Sequence, residues 1–382
     1  MKNTSTHLPL SLYIHTPWCI RKCPYCDFNS HAVRGELPEK EYINALLSDL
    51  KNNLAVIEKR KIHSVFIGGG TPSLFSAKSY ETLFTQLQQY LDFSMDVEIT
   101  MEANPGTVEQ SRFKDYRSIG INRLSLGIQS LQNEKLKILG RIHSSEEAIR
   151  AVDIAKNAGF DNFNVDIMHG LPEQTVQEAL SDLKQALALT PTHLSWYQLT
   201  LEPNTYFHKF PPQLPPDDLL ADIQDQGQQL LHDCGFEHYE VSAYTKPNHH
   251  CRHNINYWEF GDYIGIGAGA HSKLTDLNTG TITRHWNVKS PKDYLNPTQS
   301  FVANKKIITP QELPLEFMMN ALRLQKPITI DLFIERTGLD LQTIKAPLTQ
   351  AQDNGFLLLE NNSLITTPMG KRYLNEVLQL FL

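Results

Sequence analysis

Apolar residues fall along this chain in two alternating patterns. Short β-branched and aliphatic runs at Leu12–His15, Ser64–Gly68, Val97–Glu102, Arg123–Gly127, Phe163–Met168 and His193–Leu199 predict strands. Between them apolar positions recur every three or four residues, which predicts amphipathic helices over Glu39–Ile57, Ala77–Leu91, Val108–Ile119, Ser144–Ala158 and Thr175–Leu189. Most of these helices are opened by a Ser, Thr or Pro. Strand–helix repetition of this kind means a parallel sheet, so the fold class is α/β with six βα units. Six units are too few to close an eight-stranded barrel, and an open barrel and an open doubly wound sheet both fit.

Unusual polar residues sit where these strands end. His15 begins a loop of cysteines, Gly68-Gly69-Gly70-Thr71-Pro72 follows the second strand, Glu102 ends the third and Gln129 follows the fourth. In βα folds the carboxyl ends of strands carry the chemistry, so this placement predicts a site there. Four prolines within Phe210–Pro216 mark a break after the sixth unit, which gives a core domain over 1–209 and a linker and extension over 210–309. From residue 310 the pattern changes to helices at Pro314–Leu324, Ile328–Thr337 and Gln342–Asn354, then a hairpin of Gly355–Glu360 and Ser363–Thr367. Helices followed by a short hairpin describe a C-terminal winged-helix-like α+β module over 310–382.

Composition narrows the class. With 382 residues and 41% apolar content the chain can bury a large core, and a big domain plus a smaller one is expected. The net charge of −7 leaves no basic field for nucleic acid or anionic lipid. The C-terminal module, with six Lys or Arg against eight Asp or Glu, gives no phosphate footprint either, so protein contact or site closure is its expected role. The start MKNTSTHLPL lacks a signal-peptide core and no stretch approaches eighteen consecutive apolar residues. A cytoplasmic protein is therefore expected, with at most peripheral membrane association.

Three of the five cysteines fall within eight residues, which is not the layout of a disulfide framework. Cys19-x-x-x-Cys23-x-x-Cys26 puts three thiolates on one short loop after a strand, close enough to hold three corners of a 4Fe-4S cluster and leave the fourth iron open. Zinc is the alternative and would need a fourth ligand such as His15 or His31. A glycine-rich loop such as Gly69-Gly70-Thr71 lets backbone approach a ligand closely, or else makes a tight turn before a helix.

With a tyrosine, Tyr25, before the last cysteine, this spacing resembles the signature of the radical SAM superfamily. The flanks Leu12-Tyr-Ile-His-Thr-Pro-Trp18 and Asp27-Phe-Asn-Ser-His31 are similar to its oxygen-independent coproporphyrinogen III oxidase-like branch, along essentially the whole chain. The resemblance implies a partial (β/α)6 TIM-like barrel of the radical SAM type. It implies S-adenosylmethionine (SAM) on the open iron, with Tyr13, Gly69, Gly70, Thr71 and Glu102 as SAM-binding residues. It further implies a second SAM pocket at Tyr25, Gln129, Arg141 and Asp166.

One departure divides the branch. The porphyrinogen oxidases carry a cysteine two residues after the third ligand, and here that position is Phe28, which neither ligates metal nor does thiol chemistry. The long N-terminal extension of the oxidases is expected to be absent as well. Farther along, His249-His-Cys-Arg-His-Asn-Ile-Asn-Tyr-Trp258 crowds imidazoles, a thiol, a cation and aromatics, the groups a heme needs. His253-Asn254-x-x-Tyr257-Trp258 matches the heme motif of the heme chaperones in this branch, which makes His253 the leading heme ligand and Cys251 a subordinate one. Gly265-Ile-Gly-Ala-Gly-Ala-His271 is expected to pack beside the open site, with His271 as an extra candidate. The resemblance thus implies a heme chaperone that passes heme to an acceptor protein, a respiratory one included, and admits a homodimer. Radical SAM oxidation of coproporphyrinogen III and an iron–sulfur redox or iron-responsive interaction protein are the alternatives.

Overall fold

The computed structural model describes residues 8–57, 60–106 and 110–382. The first two positions of the expected helix Val108–Ile119 thus lie outside the described residues, and its remainder is a short helix, Phe113–Ser118. All six expected parallel strands form: β1 (Leu10–Thr16), β2 (Lys61–Gly69), β3 (Asp92–Ala103), β4 (Arg123–Gln129), β5 (Phe163–His169) and β6 (His193–Gln198). They lie side by side in chain order, each parallel to the next. This is the (β/α)6 partial barrel.

Side chains alternate across each strand, and here both faces are buried for different reasons. Leu12, Ile14, Val65, Ile67, Met101, Leu124, Leu126, Val165, Ile167, Leu194 and Trp196 join the main apolar core. That core is completed by helices α1 (Glu39–Ile57), α2 (Ala77–Leu87), α3 (Ser145–Asn157) and α4 (Val176–Ala188). Ser144 and Thr175 each open a capping box with the Glu three residues on, so α3 and α4 begin where the sequence signals place them. The intervening strand positions are polar: Ser11 and His15 on β1, Ser64 on β2, Glu98 and Glu102 on β3, Arg123 and Ser125 on β4, Asn164 and Asp166 on β5. These line the lumen.

Residues 210–309 supply the helix α5 (Asp217–Asp233) and six further strands of the same sheet. Strands β7 (Glu237–Glu240) and β8 (Ala243–Thr245) extend it beyond β6, β8 antiparallel to β6. On the other side β9 (Asp262–Ile266) pairs parallel to β1, and β10 (His271–Thr275), β11 (Ile282–Asn287) and β12 (Val302–Ile307) follow antiparallel. The result is a twelve-stranded sheet in the order β12-β11-β10-β9-β1-β2-β3-β4-β5-β6-β8-β7. Glycine interrupts α5, where it normally weakens a helix. At Gly227 a Cβ would stand 1.9 Å from the Trp196 ring, so the gap is filled by an aromatic of the barrel wall.

The C-terminal module has its own core around Phe317, Phe333, Leu348, Leu357 and Leu364. Its three short strands pair in the order Ile328–Thr329, Ser363–Thr366, Leu357–Glu360, as a winged-helix-like hairpin requires. Two closing helices, Pro368–Arg372 and Leu374–Gln379, go beyond the expected elements. Phe260 and Ile282 of the 210–309 extension join this core, and Gln325 donates its N–H to the Tyr239 carbonyl at 3.0 Å, which seats the module on the sheet. Among the described residues no helix is long and apolar enough to cross a membrane.

Candidate functional site

The cysteine loop leaves the C-terminal end of β1 and is pinned at both ends. Trp18–Cys19 pairs with His31–Ala32, and Gly70 and Thr71 donate their N–H groups to the Thr16 and Trp18 carbonyls at 2.7 Å. Within the loop Lys22 Nζ donates to the Phe28 carbonyl at 3.0 Å. Gly69 stands at φ +109°, and a Cβ there would lie 2.4 Å from the His15 ring, so only glycine lets this turn close over the loop. His15 is itself committed: Nε2 meets the Asn29 carbonyl at 2.8 Å and Nδ1 the Tyr13 hydroxyl at 3.0 Å. It has no nitrogen left for zinc.

Cys19, Cys23 and Cys26 line a cavity of about 470 Å³ that fills the upper lumen. No three His, Cys, Asp or Glu side chains among the described residues converge on a single-ion site. A cubane is met by each thiolate at a different iron, so ligands spread along one wall fit it. Burial raises the thiols of Cys19 and Cys26 above their ordinary range, and iron must therefore displace protons on binding.

The same cavity collects Gly69, Gly70, Thr71 and Glu102, and also Tyr25, Gln129, Arg141 and Asp166. Glu102 accepts the Gly69 N–H at 3.1 Å. Burial, then the charge of Asp166, pushes its carboxyl up to about 8. Arg141 reaches Cys23 Sγ at 3.5 Å, the Gly127 carbonyl at 2.7 Å and Asn104 at 2.5 Å, while Asn104 also donates to Thr71 at 2.9 Å. Gln129, at φ +73°, accepts from the Tyr197 hydroxyl at 2.6 Å. Asp166 is held by Asn164 at 2.8 Å and Ser125 at 3.2 Å, and burial raises its carboxyl. Tyr13 is the exception among the expected SAM residues. It lines a separate cavity of about 370 Å³ with His15, Tyr257, Trp258 and His271.

The H-N-x-x-Y-W residues form helix α6 (Arg252–Trp258). Its N-terminus is capped from the sheet: Glu98 accepts the N–H of Arg252 at 3.0 Å and of His253 at 3.4 Å, and the Cys251 thiol at 3.6 Å. The residues of the motif face different ways. Asn254 borders the cluster cavity, while Tyr257 and Trp258 border the second one. His253 is 1% exposed, with Nδ1 on the Ser64 hydroxyl at 3.2 Å and Nε2 on the Tyr257 hydroxyl at 2.9 Å. Burial, then the Arg123 charge, holds it down to about 3. Axial ligation by His253 would have to break the Nε2 or the Nδ1 bond. Cys251 is fully buried, and burial pushes its thiol up to about 12. His271 stacks on Trp286, with ring centroids 5.9 Å apart.

Sequence reasoning passed over Asn104, Tyr197 and Arg123. Asn104 follows Glu102 within the strand-end run Glu-Ala-Asn-Pro, a signal that was readable. Arg123, 2% exposed, opens β4 opposite Thr100 of β3 and feels the charge of Glu98 two residues earlier on that strand, a proximity that only the register reveals.

Residues 13–186 match the radical SAM superfamily and residues 308–373 the HemN C-terminal domain. The chain is 51% identical over 378 residues to the heme chaperone HemW of Haemophilus influenzae and 50% identical over 374 residues to that of Escherichia coli, covering 98% of each protein and of this chain. It is also 37% identical over 284 residues to a mouse protein, radical S-adenosyl methionine domain-containing protein 1, mitochondrial, covering 73% of this chain and 64% of that one. Among solved structures, coproporphyrinogen III oxidase (HemN) from Escherichia coli, a radical SAM enzyme, superposes with a TM-score of 0.83 at 21% identity over 100% of this chain and 92% of that one. At that identity the likeness shows the fold.

Proposed function

Since the chain belongs to the heme chaperone HemW family of the radical SAM superfamily, we propose that it binds heme and hands it to an acceptor protein, and carries a 4Fe-4S cluster with SAM on the open iron. Cys19, Cys23 and Cys26 hold the cluster in this reading, which offers the vacant iron to the amino and carboxylate groups of SAM. Gly69, Gly70, Thr71 and Glu102 support the SAM assignment by sharing the cavity, and Tyr25, Gln129, Arg141 and Asp166 support a second SAM pocket in the same way. The observation that carries chaperone over oxidase is Phe28. It is 59% exposed on the rim of the cluster cavity, where the resemblance gives the oxidases a cysteine. The reading includes a cytoplasmic site of action and acceptors that number respiratory proteins among them.

Anaerobic protein with reconstituted cluster, dithionite, SAM and coproporphyrinogen III is expected to yield no protoporphyrinogen, while heme-loaded protein passes its Soret absorbance to an apo-acceptor. Porphyrinogen turnover would overturn the assignment.

Glu102 makes SAM binding pH-dependent. Its acid is raised above the ordinary 4.5 to about 8, so the empty protein loses stability as pH rises from the lower value to the higher one, where a buried carboxylate must form. The N–H groups of an iron-bound SAM amine, hydrogen-bonding to that carboxylate, reverse the preference. SAM affinity is therefore expected to rise with pH up to about 8, with a proton released on binding below it. Calorimetry in two buffers of different ionisation heat, on the wild type and on Glu102→Gln, separates this proton from the one that the SAM ammonium sheds on chelating iron. The same proton release in the wild type and Glu102→Gln, or an unchanged pH profile in the variant, would remove Glu102 from the SAM site.

A further inference from the structure

The glycine run 265–269, at the carboxyl end of β9, lies against the cysteine loop. A Cβ at Gly267 would stand 2.4 Å from the His15 carbonyl oxygen, and one at Gly269 would stand 2.4 Å from the Asn29 amide, so the approach requires glycine. Hydrogen bonds then join the two segments. Asn29, which follows the third cysteine in the loop, donates from Nδ2 to the Ala268 and Lys289 carbonyls at 2.9 Å each, and its own carbonyl meets His15 Nε2 at 2.8 Å. From α1, the Tyr42 hydroxyl donates to the His15 carbonyl at 2.7 Å and accepts the Ala268 N–H at 2.9 Å. Farther along α1, Asp49 is 1% exposed and gathers three donors on one oxygen: the Gly267 N–H at 3.1 Å, the Tyr294 hydroxyl at 2.7 Å and the Asn287 amide at 2.7 Å. Resting on the reading that Cys19, Cys23 and Cys26 hold the cluster, we propose that Asp49 and Asn29 are positioning residues for it: Asp49 fixes the glycine run, and the run holds the cysteine loop through Asn29.

An acid is an expensive choice at this position, which argues that its geometry is what the chain needs. Burial raises the Asp49 carboxyl to about 6 although all three donors act against that shift. A leucine would avoid the cost of desolvating an acid. It would also leave the buried Tyr294 proton without its acceptor and the Gly267 N–H on the Tyr294 hydroxyl alone. The three donors come from the end of β9, the end of β11 and the short helix Pro291–Tyr294, so one carboxylate sets the spacing of three segments against α1. Asn29 carries that spacing to the metal loop. The backbone pairings at Trp18–Cys19, Gly70 and Thr71 tie the loop toward β2, whereas the Asn29 side chain ties it across β1 to the β9 side of the sheet. Thiolates held from both sides keep their spacing while iron exchanges, the role that partners behind a first ligand play in metal sites.

Hydrogen exchange of the full chain without iron tests the hold itself. Gly70, Thr71 and His31 donate their N–H groups to carbonyls of Thr16, Trp18 and Pro17 and so report opening of the loop. Asn29→Ala and Asp49→Leu are expected to speed exchange at these amides about ten-fold, while Asp49→Asn, which keeps an acceptor oxygen, stays within about two-fold of wild type. Leu348→Ala, which opens a gap in the core of the C-terminal module, is the control for lost stability alone and is expected to leave them unchanged. After anaerobic reconstitution, a ferrous chelator is expected to strip iron from Asn29→Ala and Asp49→Leu about ten-fold faster than from wild type, and the EPR of the dithionite-reduced cluster is expected to broaden in those two variants only. Wild-type exchange and iron release in both variants, or equal acceleration by Leu348→Ala, would overturn the assignment. A wild type that takes up no iron while the loop amides respond as expected refutes the cluster reading and supports the hold on the loop.

Discussion

Cys23→Ala leaves the protein without its cluster: after anaerobic reconstitution, iron, sulfide and the brown charge-transfer absorbance fall to background. The loop offers three thiols to the lumen cavity, and in the proposed ligand set the fourth iron has no protein ligand to compensate for a loss. Arg141, whose guanidinium lies 3.5 Å from Cys23 Sγ, loses a partner as well. Exposed Cys234→Ser and buried Cys251→Ser are the comparison, and both should retain iron. A full cubane in Cys23→Ala, or zinc in wild-type material, would refute the ligand set.

Asp262→Ala is expected to cost about 3–5 kcal/mol in denaturant unfolding, the range for removing one member of a buried ion pair. Asp262 is wholly buried at the start of β9 and takes Lys273 at 2.9 Å, Arg60 at 2.7 Å, and both the N–H and hydroxyl of Thr275. Burial alone would raise its acid, but Lys273 and Arg60 outweigh it and hold the carboxyl below the ordinary 3.8. The pairing thus stabilises the fold above that value and is lost as pH falls through the depressed one. Removing the carboxylate strands the Lys273 ammonium, 1% exposed, inside the protein. Asp262→Ala with Lys273→Met should therefore be more stable than Asp262→Ala alone. A loss below about 1 kcal/mol in the single variant would mean that water reaches the pair.

What the sequence made legible follows from how local the signal is. The six strands of the barrel read clearly because Leu12, Ile14, Val65, Ile67, Val165 and Ile167 must meet helices, and period-2 patterning records that requirement. The cysteine loop read clearly because its spacing is confined to eight residues. The flanking strands β7 to β12 did not, since they are short, three to six residues each, and the two that join them to the barrel, β8 on β6 and β9 on β1, pair with strands remote in sequence. α5 was missed because Gly227 interrupts its apolar stripe, and only the Trp196 ring explains that glycine. His253 shows the same limit at the site. The residue type suggested a metal ligand, while its burial against Phe66 and Ser64 depends on a strand nearly two hundred positions earlier.

Strand β1 is paired on one flank by β2 and on the other by β9, from Leu10 opposite Asp262 to Ile14 opposite Ile266. Polypeptides leave the ribosome amino end first. The flank of β1 that β9 covers is therefore bare through most of synthesis, and any prematurely terminated product ending short of residue 262 keeps an unprotected hydrogen-bonding edge, the feature that invites intermolecular strand addition. Nascent chains of this protein should depend on holding factors until the last third is translated.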